Sequence, residues 1–506
     1  MIFRYPPDIN ERLRELKTKP AEYWENLSIR YVDKLIKFTI EFTPAYRKFL
    51  KDNGVDYKKI KGFKDLEKLP IMDKNSYLRQ YPYQELFPNK NLNLKTISAT
   101  SGSTGEPFYF IRGENLDEQG LYVLELAFLN QWEIKRFNTL IVLGFGLGIW
   151  IGGLHNYYVY YRLSDKYKIT TAPVGTSKEL ILKTIKKLHQ FYDQLILVGY
   201  PPFIKDVGDE AKNYDINFKK MRLRILNAAE GFSEEFRNYI AKIYNLENIV
   251  NDNINIYGTV ELGTMAHETA FSNLIRRIAV EKDKVFRAIF PEANRIPTLA
   301  QYHPYIVYFE EKEGLVIASG YGESIPLIRY SFPDRGGVIK FDEMIKKLKS
   351  AGVDIFKEAE KWKIKSKILK LPFVYVYERS DFAVSLVGIL IYPEYIKNAL
   401  IKKELQKYLT GKFSMLVDYD KNMNQKLKIH IELKKGVRGN EEIKDKIHRE
   451  IVRALLKNST EYNHLYSTAS EKHRKRLEPE IILHTYEDPF YFKPGIKQKW
   501  TIKKEK

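Results

Sequence analysis

The segment ATSGSTGEPFYF, Ala99–Phe110, decides how the chain is interpreted, because its first eight residues hold two glycines, two serines and two threonines. The aromatic and β-branched residues after Pro107 favour a strand. We therefore predict a strand–loop–strand hairpin, whose small and hydroxylated residues can approach a phosphate closely. The loop lacks the Gly-Lys-Ser/Thr ending of a Walker loop and opens no helix, which argues against a P-loop NTPase. Taken alone, the segment is equally consistent with a flexible surface turn.

The composition is that of a globular protein with more than one domain. The chain has 506 residues, 44% hydrophobic and 29% charged residues, and no cysteine. This length exceeds what one hydrophobic core usually serves. The lack of cysteine excludes disulfides, thiolate metal sites and a cysteine nucleophile. The first residues contain no apolar stretch of signal-peptide length, and we expect a cytoplasmic location.

The formal net charge of +20 allows two kinds of partner, nucleic acid or an anionic small molecule. Most lysines alternate with glutamates, as on solvated helix faces. The dense basic cluster EKHRKRLE, at residues 471–478, has no zinc-finger, helix-turn-helix or RNA-recognition signature beside it. We therefore expect no nucleic-acid partner, although a basic nucleic-acid-binding protein with a degenerate enzyme core remains an alternative.

The pattern of apolar residues changes along the chain. The first hundred residues have the three- and four-residue spacings of helices. From Leu94 onward, short apolar runs alternate with amphipathic segments such as SKELILKTIKKLHQFY and SEEFRNYIAKIY, which predicts an α/β architecture with a largely buried sheet. Near Arg379 the rhythm changes again. We predict a large multi-layer N-terminal domain, residues 1–380, with a helical lead-in, and a small α+β C-terminal domain, residues 381–506.

The longest apolar run, LIVLGFGLGIWIGGL at residues 140–154, is interrupted by five glycines. It is shorter than the ~20 residues that a membrane helix needs. We therefore predict a buried strand followed by a glycine-rich loop, and no membrane span.

Seven segments, in order, resemble motifs of the adenylate-forming (ANL) superfamily, and within it the phenylacetate–CoA ligase and CapK-like branch. The segments are the Ala99–Phe110 loop, GFGLGIWIGGLHNYY, LNAAEGFSEEFR, IYGTVELG, PLIRYSFPD, ERSDFAVSLVGILIYPEYIKNAL and PGIKQKW. The helical residues 42–82 resemble the lead-in of the same branch. The resemblance implies a large adenylation domain and a small mobile C-terminal domain.

The resemblance also implies a reaction. A carboxylic acid and ATP, with Mg²⁺, would give an acyl-adenylate and pyrophosphate, and CoA would then take the acyl group as a thioester. Adenylation followed by transfer to a carrier protein, sugar or cofactor is the alternative. The implied partners are a small-molecule carboxylate, ATP and CoA, bound by a monomer or homodimer.

The resemblance assigns roles to particular residues. Tyr257 and Gly258 would lie at adenine, Thr259 would bond a phosphate oxygen, and Glu261 would bind Mg²⁺ through hard oxygen ligation. Asp334 would accept hydrogen bonds from the ribose, and Arg379 would approach the ribose or phosphate. The remaining implied nucleotide residues are Thr100, Ser101, Gly102, Ser103, Thr104 and Gly105 around the β- and γ-phosphates, and Ala229 and Glu230 beside adenine.

Three further roles follow from the resemblance. Lys497, or its near neighbour Lys499, would neutralise the α-phosphate during adenylation. Asp381 would be the hinge of the small domain, and Gly388 would reach the thiol channel. The family usually has lysine at Glu106, so Mg²⁺ and a lysine elsewhere must supply positive charge.

The segments that resemble the acyl pocket are rich in aromatic residues, which favours an aromatic or medium-sized apolar acid. The implied pocket residues are Phe145, Gly146, His155 and Tyr200. For His155, as for His267, a structural role is favoured over a catalytic one.

Overall fold

The structure is a computed structural model and describes residues 8–100, 107–293, 295–379, 383–400 and 402–492. The chain divides into two compact units. The first comprises Met1–Ala99 and Tyr109–Glu378, and the second comprises Thr100–Phe108 and Arg379–Lys506. The division near residue 379 lies close to the domain boundary that we predict at 381.

Three amphipathic helices open the described part of the first unit: α1 (Ile9–Thr18), α2 (Ala21–Phe42) and α3 (Pro44–Asp52). The Asp8 side chain caps α1 by accepting a hydrogen bond from the backbone of Asn10. Pro44 occupies the first turn of α3, where its missing N–H costs nothing. Short helical turns follow, among them Lys74–Leu78, which a capping box between Asp73 and Ser76 begins. The helical lead-in expected from the sequence is therefore present.

The predicted hairpin is present as strands β1 (Thr96–Thr100) and β2 (Phe108–Arg112), which pair in a two-stranded sheet. The remaining strands of the first unit form one large mixed sheet of eleven strands in the described chain, in the order β10-β11-β12-β13-β9-β8-β7-β6-β5-β3-β4. Their bounds are β3 (Thr139–Gly144), β4 (Ile169–Ala172), β5 (Gln194–Gly199), β6 (Arg222–Ala228), β7 (Asn253–Thr259), β8 (Gly263–His267), β9 (Thr298–Tyr302), β10 (Val307–Lys312), β11 (Leu315–Gly320), β12 (Leu327–Ile339) and β13 (Phe373–Arg379).

Strands β3 to β7 run parallel, β8 is antiparallel to β7, and β9 is antiparallel to β8 and so runs in the direction of β7. Their near-continuous apolar sequences are those of a sheet covered on both faces. The helices that follow β2 are α4 (Glu114–Trp132), α5 (Ile151–Ser164), α6 (Lys178–Leu188), α7 (Pro201–Glu210), α8 (Glu234–Tyr244), α9 (Ile249–Asp252), α10 (Ala270–Glu281), α11 (Asp283–Ile289), α12 (Phe341–Ser350) and α13 (Ile355–Lys361). The predicted helices at residues 177–192 and 233–244 are confirmed as α6 and α8.

Packing of the helices against this sheet builds the core of the first unit. Phe128 of α4 and Tyr160 of α5 join the β3 residue Ile141 in one buried apolar cluster. Phe271 of α10 and Met344 of α12 belong to a second cluster. The large α/β layered domain predicted from the sequence is confirmed.

The glycine-rich segment at residues 140–154 departs from our prediction in its second half. Strand β3 ends at Gly144, but helix α5 begins at Ile151 and includes Gly152 and Gly153. A Cβ atom on Gly153 would lie 2.1 Å from the carbonyl oxygen of Gly146, so this glycine permits close packing of helix and loop. Among the described residues, no helix combines the length and apolar character that crossing a bilayer requires.

The second unit is a small α+β assembly, as the sequence predicts. A hairpin of β14 (Val384–Leu386) and β15 (Ile389–Ile391) turns at Val387 and Gly388, both in the left-handed region. A three-stranded sheet pairs β16 and β17 antiparallel and β17 and β18 parallel. The remaining bounds are α14 (Pro393–Leu400), α15 (Lys403–Gln406), β16 (Leu409–Tyr419), β17 (Gln425–Leu433), α16 (Glu441–Asn458), α17 (Thr460–Thr468), α18 (Glu471–Leu477) and β18 (Glu480–His484).

Candidate nucleotide-binding site

The predicted site residues of the first unit gather at one edge of the large sheet. Because β3, β5, β6 and β7 are parallel neighbours, their carboxyl ends lie at the same edge, where ligands of open α/β sheets usually bind. Phe145 follows β3, Tyr200 follows β5 and Ala229 follows β6. Tyr257 and Thr259 lie in the last three residues of β7. Residues predicted from three of the seven segments, together with Tyr200, are thus brought to one edge.

Tyr257 and Asp334 form the most direct contact between two predicted site residues. The Tyr257 phenol donates a hydrogen bond to Oδ2 of Asp334, at 2.7 Å. The Tyr257 ring also stacks on Phe309, with 6.2 Å between ring centroids. Asp334 lies on β12 and is buried. The ring predicted for adenine and the carboxylate predicted for ribose therefore belong to one hydrogen-bonded pair.

Thr259 ends β7, and Glu261 lies in the turn between β7 and β8. The backbones of Gly258 and Gly263 approach each other closely, since a Cβ atom on Gly258 would lie 2.5 Å from the carbonyl oxygen of Gly263. The hydroxyl of Thr259 accepts a hydrogen bond from the backbone N–H of Leu262, at 3.3 Å. We call residues 257–264 the β7–β8 hairpin. It presents a hydroxyl and a carboxylate within three residues of each other.

Glu261 is buried, and its Oε1 atom has two partners. The phenol of Tyr330 donates to Oε1 at 3.3 Å, and Nζ of Lys74 lies 3.8 Å from the same oxygen. Burial, reinforced by the charge of Glu261, raises the pKa of Tyr330 well above its ordinary value, so its phenol stays protonated as the donor. Glu261 thus lies in a pocket with a cation beside it.

Lys74 is a residue that our sequence reasoning did not assign. It begins the helical turn that Asp73 caps, and the backbone of Met72 pairs with β12 on both sides of Tyr330. The signal available in the sequence was the expectation of a lysine outside the Ala99–Phe110 loop, together with the Asp-x-x-Ser capping pattern at residues 73–76. Neither signal identified which lysine approaches Glu261.

The turn after β6, predicted to lie beside adenine, is fixed by a hydrogen bond from the neighbouring strand β7. Ala229 has a φ of 77°, in the left-handed region that is costly for a residue with a Cβ atom. The carbonyl oxygen of Glu230 accepts a hydrogen bond from Nδ2 of Asn255, at 2.9 Å. Asn255 precedes Tyr257 by two residues, so both side chains lie on the same face of β7. Sequence reasoning did not assign Asn255.

The predicted acyl-pocket residues separate into two groups. The rings of Phe145 and Tyr200 meet edge to face, with 4.7 Å between centroids, and Gly146 directly follows Phe145. His155 is buried and lies within hydrogen-bond distance of Asp117 and Thr264. Both of its ring nitrogens are engaged in these contacts, as the favoured structural role requires.

Several predicted residues lie outside the described part of the chain: Ser101, Gly102, Ser103, Thr104, Gly105, Asp381, Lys497 and Lys499. Thr100 ends β1, and its hydroxyl accepts a hydrogen bond from the backbone of Phe108, at 3.3 Å. Arg379 ends β13, and Gly388 has a φ of 80° in the β14–β15 turn. The described residues therefore include the adenine, ribose and metal-binding candidates, whereas most of the phosphate-loop candidates fall outside them.

The fold matches solved structures of acyl-CoA ligases over nearly the whole chain. A 2-hydroxyisobutyryl-CoA ligase in complex with an acyl-AMP and CoA, in its thioesterification state, gives a TM-score of 0.66 at 14% identity, covering 99% of this chain and 94% of that one. The same ligase in a postadenylation state gives a TM-score of 0.56 at 13% identity, covering 99% and 94%. These matches establish the fold.

The chain is also similar in sequence to a curated protein. The chain is 23% identical, over 252 residues, to the phenylacetate–coenzyme A ligase of Thermus thermophilus. The match spans 49% of this chain and 53% of that relative, so it covers about half the length of each. No protein-family model matches the chain.

The chain therefore has the α/β fold of these acyl-CoA ligases. The curated match is to a ligase of the branch that the sequence motifs resemble.

Proposed function

We propose that the protein activates a carboxylic acid with ATP, forming an acyl-adenylate and pyrophosphate, and then transfers the acyl group to CoA. The observation that carries this proposal is the Tyr257–Asp334 pair, located beside Thr259 and Glu261 at the carboxyl edge of the sheet. Tyr257 and Asp334 offer an aromatic ring and a hydrogen-bond acceptor for a nucleoside. Thr259, Glu261 and Lys74 offer oxygen ligands and a cation for its phosphates.

In this proposal Tyr257 and Asp334 bind the nucleoside. The Tyr257 ring stacks on adenine, while the Asp334 carboxylate, which is acceptor-only when ionised, accepts hydrogen bonds from the ribose hydroxyls. The hydrogen bond from Tyr257 holds the Asp334 carboxylate in position before the nucleotide arrives. Ala229 and Glu230 form the side wall, which Asn255 keeps in place.

The phosphates are proposed to bind between the hairpin and Lys74. Glu261 and Thr259 supply a carboxylate and a hydroxyl, the hard oxygen ligands that Mg²⁺ prefers. No group of three His, Asp or Glu residues suited to a metal occurs in the described ranges. The carboxylate of Glu261 and the hydroxyl of Thr259 fit a Mg²⁺ ion that takes its other ligands from ATP, and such an ion would neutralise charge on the phosphates. Lys74 adds the positive charge that Glu106 does not supply.

Chemistry at this site would consist of two displacements. A carboxylate oxygen attacks the α-phosphorus, and the bond to pyrophosphate breaks. The thiolate of CoA then attacks the acyl carbonyl, and AMP leaves. We further propose that Thr100 and residues 101–105 hold the terminal phosphates and that Lys497 neutralises the α-phosphate.

For the second step, we propose a lid of residues 381–506 that turns at Asp381 and brings Gly388 to the thiol channel. Arg379, two residues before that hinge, would contact the ribose or phosphate.

The acid is proposed to be aromatic or of medium apolar size. The edge-to-face pair of Phe145 and Tyr200 supports an apolar acyl site near the carboxyl ends of β3 and β5. The name of the Thermus relative supports an arylacetate as the first acid to test. The chain has no cysteine, and the cosubstrates ATP and CoA support a cytoplasmic location.

The decisive experiment is exchange of labelled pyrophosphate into ATP, screened over aryl, alkyl and sugar acids with Mg²⁺ present. Acid-dependent exchange is expected, followed by consumption of free CoA and thioester formation with the best acid. Exchange without thioester formation would reject CoA as the acceptor. Absence of both MgATP binding and exchange would reject the whole proposal.

A further inference from the structure

A chain of buried polar side chains connects three parts of the first unit. Its members are Ser98, Arg112, Asp117, His155 and Thr264, each less than one-tenth exposed. They lie on β1, β2, α4, α5 and β8 respectively. Buried polar groups of this kind are costly unless each finds a partner. Here each one is hydrogen-bonded to the next.

The first half of the chain joins the β1–β2 hairpin to α4. Nε of Arg112 donates to the hydroxyl of Ser98 at 3.1 Å, and Nη1 of Arg112 donates to Oδ1 of Asp117. This part ties both strands that flank residues 101–106 to one helix. It forms a buried ion pair, Arg112–Asp117, that is already complete without a histidine.

His155 extends the chain beyond this ion pair. Its Nδ1 lies 2.6 Å from Oδ1 of Asp117. Burial alone would raise the pKa of Asp117, but the hydrogen bond with His155 and the charges of His155 and Arg112 outweigh it and lower that pKa. The ionised carboxylate is acceptor-only, so Nδ1 of His155 carries the proton and donates it.

The other ring nitrogen reaches the β7–β8 hairpin. Nε2 of His155 lies 3.3 Å from the hydroxyl of Thr264, which can pair with either form of the imidazole because a hydroxyl both donates and accepts. The backbone of Thr264 pairs with that of Gly258 across the hairpin. Thr259 and Glu261 lie between these two paired residues. The His155 ring packs directly against Gly120, because a Cβ atom added there would lie only 2.3 Å from the Cε1 and Nε2 atoms of the ring. The ring therefore has little freedom to move.

We propose that this series of hydrogen-bonded side chains, from Ser98 to Thr264, fixes the β7–β8 hairpin relative to strands β1 and β2. His155 and Thr264 then act as positioning residues for Mg²⁺-bound ATP. The inference rests on the proposed function, since it assumes that Thr259 and Glu261 bind the phosphates and their metal. Groups that only orient metal ligands usually affect metal affinity by one or two orders of magnitude. Tyr257, the residue proposed for adenine, is held separately by its hydrogen bond to Asp334 and its stacking on Phe309, so loss of these side-chain contacts should affect ATP and AMP differently.

The test compares Thr264→Val with Thr264→Ser in the full-length protein. Valine keeps the shape but leaves Nε2 of His155 without its hydrogen-bonding partner, whereas serine keeps the hydroxyl. Calorimetric titration with MgATP and, separately, with AMP is the readout. We expect Thr264→Val to weaken MgATP binding about tenfold with AMP affinity nearly unchanged, and Thr264→Ser to bind both as the wild type does.

A second variant, Gly120→Ala, displaces the His155 ring without altering a hydrogen-bonding group, and we expect the same selective loss of MgATP affinity. It replaces Thr264→Val if that variant does not fold. Equal loss of MgATP and AMP affinity, or unchanged MgATP affinity in a folded variant, overturns the inference. The proposed function is still supported in either case if the wild-type protein binds MgATP. If the wild-type protein itself fails to bind MgATP, both fall together.

Discussion

The phenol of Tyr257 donates a hydrogen bond to the carboxylate of Asp334, with 2.7 Å between the two oxygen atoms, although the residues lie 77 positions apart. One residue comes from the end of β7 and the other from β12, which lie on opposite sides of β8, β9 and β13 in the sheet. If this pair binds the nucleoside, its disruption should affect AMP and ATP equally.

We expect Asp334→Asn to weaken the binding of AMP and MgATP by about tenfold each, because an uncharged amide is the poorer acceptor for ribose hydroxyls. Tyr257→Phe keeps the ring and removes only the phenol, so its effect should be smaller. Calorimetric titration measures both affinities. Tyr161→Phe, at a tyrosine with 56% exposure, is the control. A loss confined to MgATP would contradict the assignment.

Glu261 and Lys74 should affect the phosphate end instead. We expect Glu261→Gln and Lys74→Gln each to reduce pyrophosphate exchange about 100-fold, because each removes a charge proposed to face the phosphates and their metal. AMP binding should be retained in both variants. Lys68→Gln removes an exposed lysine from an ordinary i,i+3 ion pair with Asp65 and should leave exchange unchanged. Equal effects of Lys74→Gln and Lys68→Gln would remove Lys74 from the site.

Arg329 should be needed for the stability of the lead-in segment that carries Lys74. Its φ is 53°, and its Nη1 atom donates to the carbonyl oxygens of Leu66, Glu67 and Leu69. Because Arg329→Met leaves these buried carbonyls without their donor, we expect the free energy of unfolding to fall by about 3 kcal/mol.

Urea denaturation of the full chain measures this change, and Arg287→Met, at a mostly exposed arginine on α11, is the control. A similar small effect from both substitutions would show that Arg329 does not secure the segment.

Gly258→Ala should distort the β7–β8 hairpin. The added Cβ atom would lie 2.5 Å from the backbone oxygen of Gly263, which has no flexible side chain to move aside. We expect a loss of about 2 kcal/mol in unfolding free energy, together with weaker MgATP binding. At Gly152, within α5, a Cβ atom would meet only ordinary contacts with Phe145 at 3.8 Å. Gly152→Ala should therefore be neutral or slightly stabilising, and wild-type behaviour of Gly258→Ala would argue against the observed close approach.

The stability of the protein should fall on mild acidification. Burial, with the charges of His484 and Lys428, lowers the pKa of His430 from 6.5 to about 4, while Asp488 opposes the shift. Unfolded His430 therefore binds a proton between pH 6.5 and 4 that the folded protein does not, so the stabilisation is full above pH 6.5 and is lost as the pH falls toward 4.

The histidine contribution should amount to about 2 kcal/mol after screening is allowed for. Unfolding free energies of the wild type and His430→Gln at pH 7 and pH 5 measure it. His430→Gln should flatten the pH dependence but not abolish it, because burial also lowers the pKa values of His267 and His303. Parallel pH profiles of the two proteins would contradict this account.

The local elements of the fold could be predicted because their signals are local. Helix α8 follows from Ser233 as its N-cap and apolar residues at helical spacing. The β1–β2 hairpin follows from small residues before a β-favouring run. The prediction of a loop where helix α5 begins at Ile151 was wrong for a physical reason. Glycines are common in loops, but Gly153 serves the close packing of the helix against Gly146, a contact that cannot be inferred from the neighbouring residues.

The sequence alone determined the order of helices and strands, the α/β class and a set of candidate residues in a family-like order, because periodicity and short motifs are properties of neighbouring positions. Only the tertiary structure decided that Lys74 lies beside Glu261, that Asn255 holds the turn at Glu230, and that His155 joins Asp117 to Thr264. These contacts arise from chain segments that meet when strands far apart in sequence become neighbours in one sheet. No local pattern encodes such a meeting.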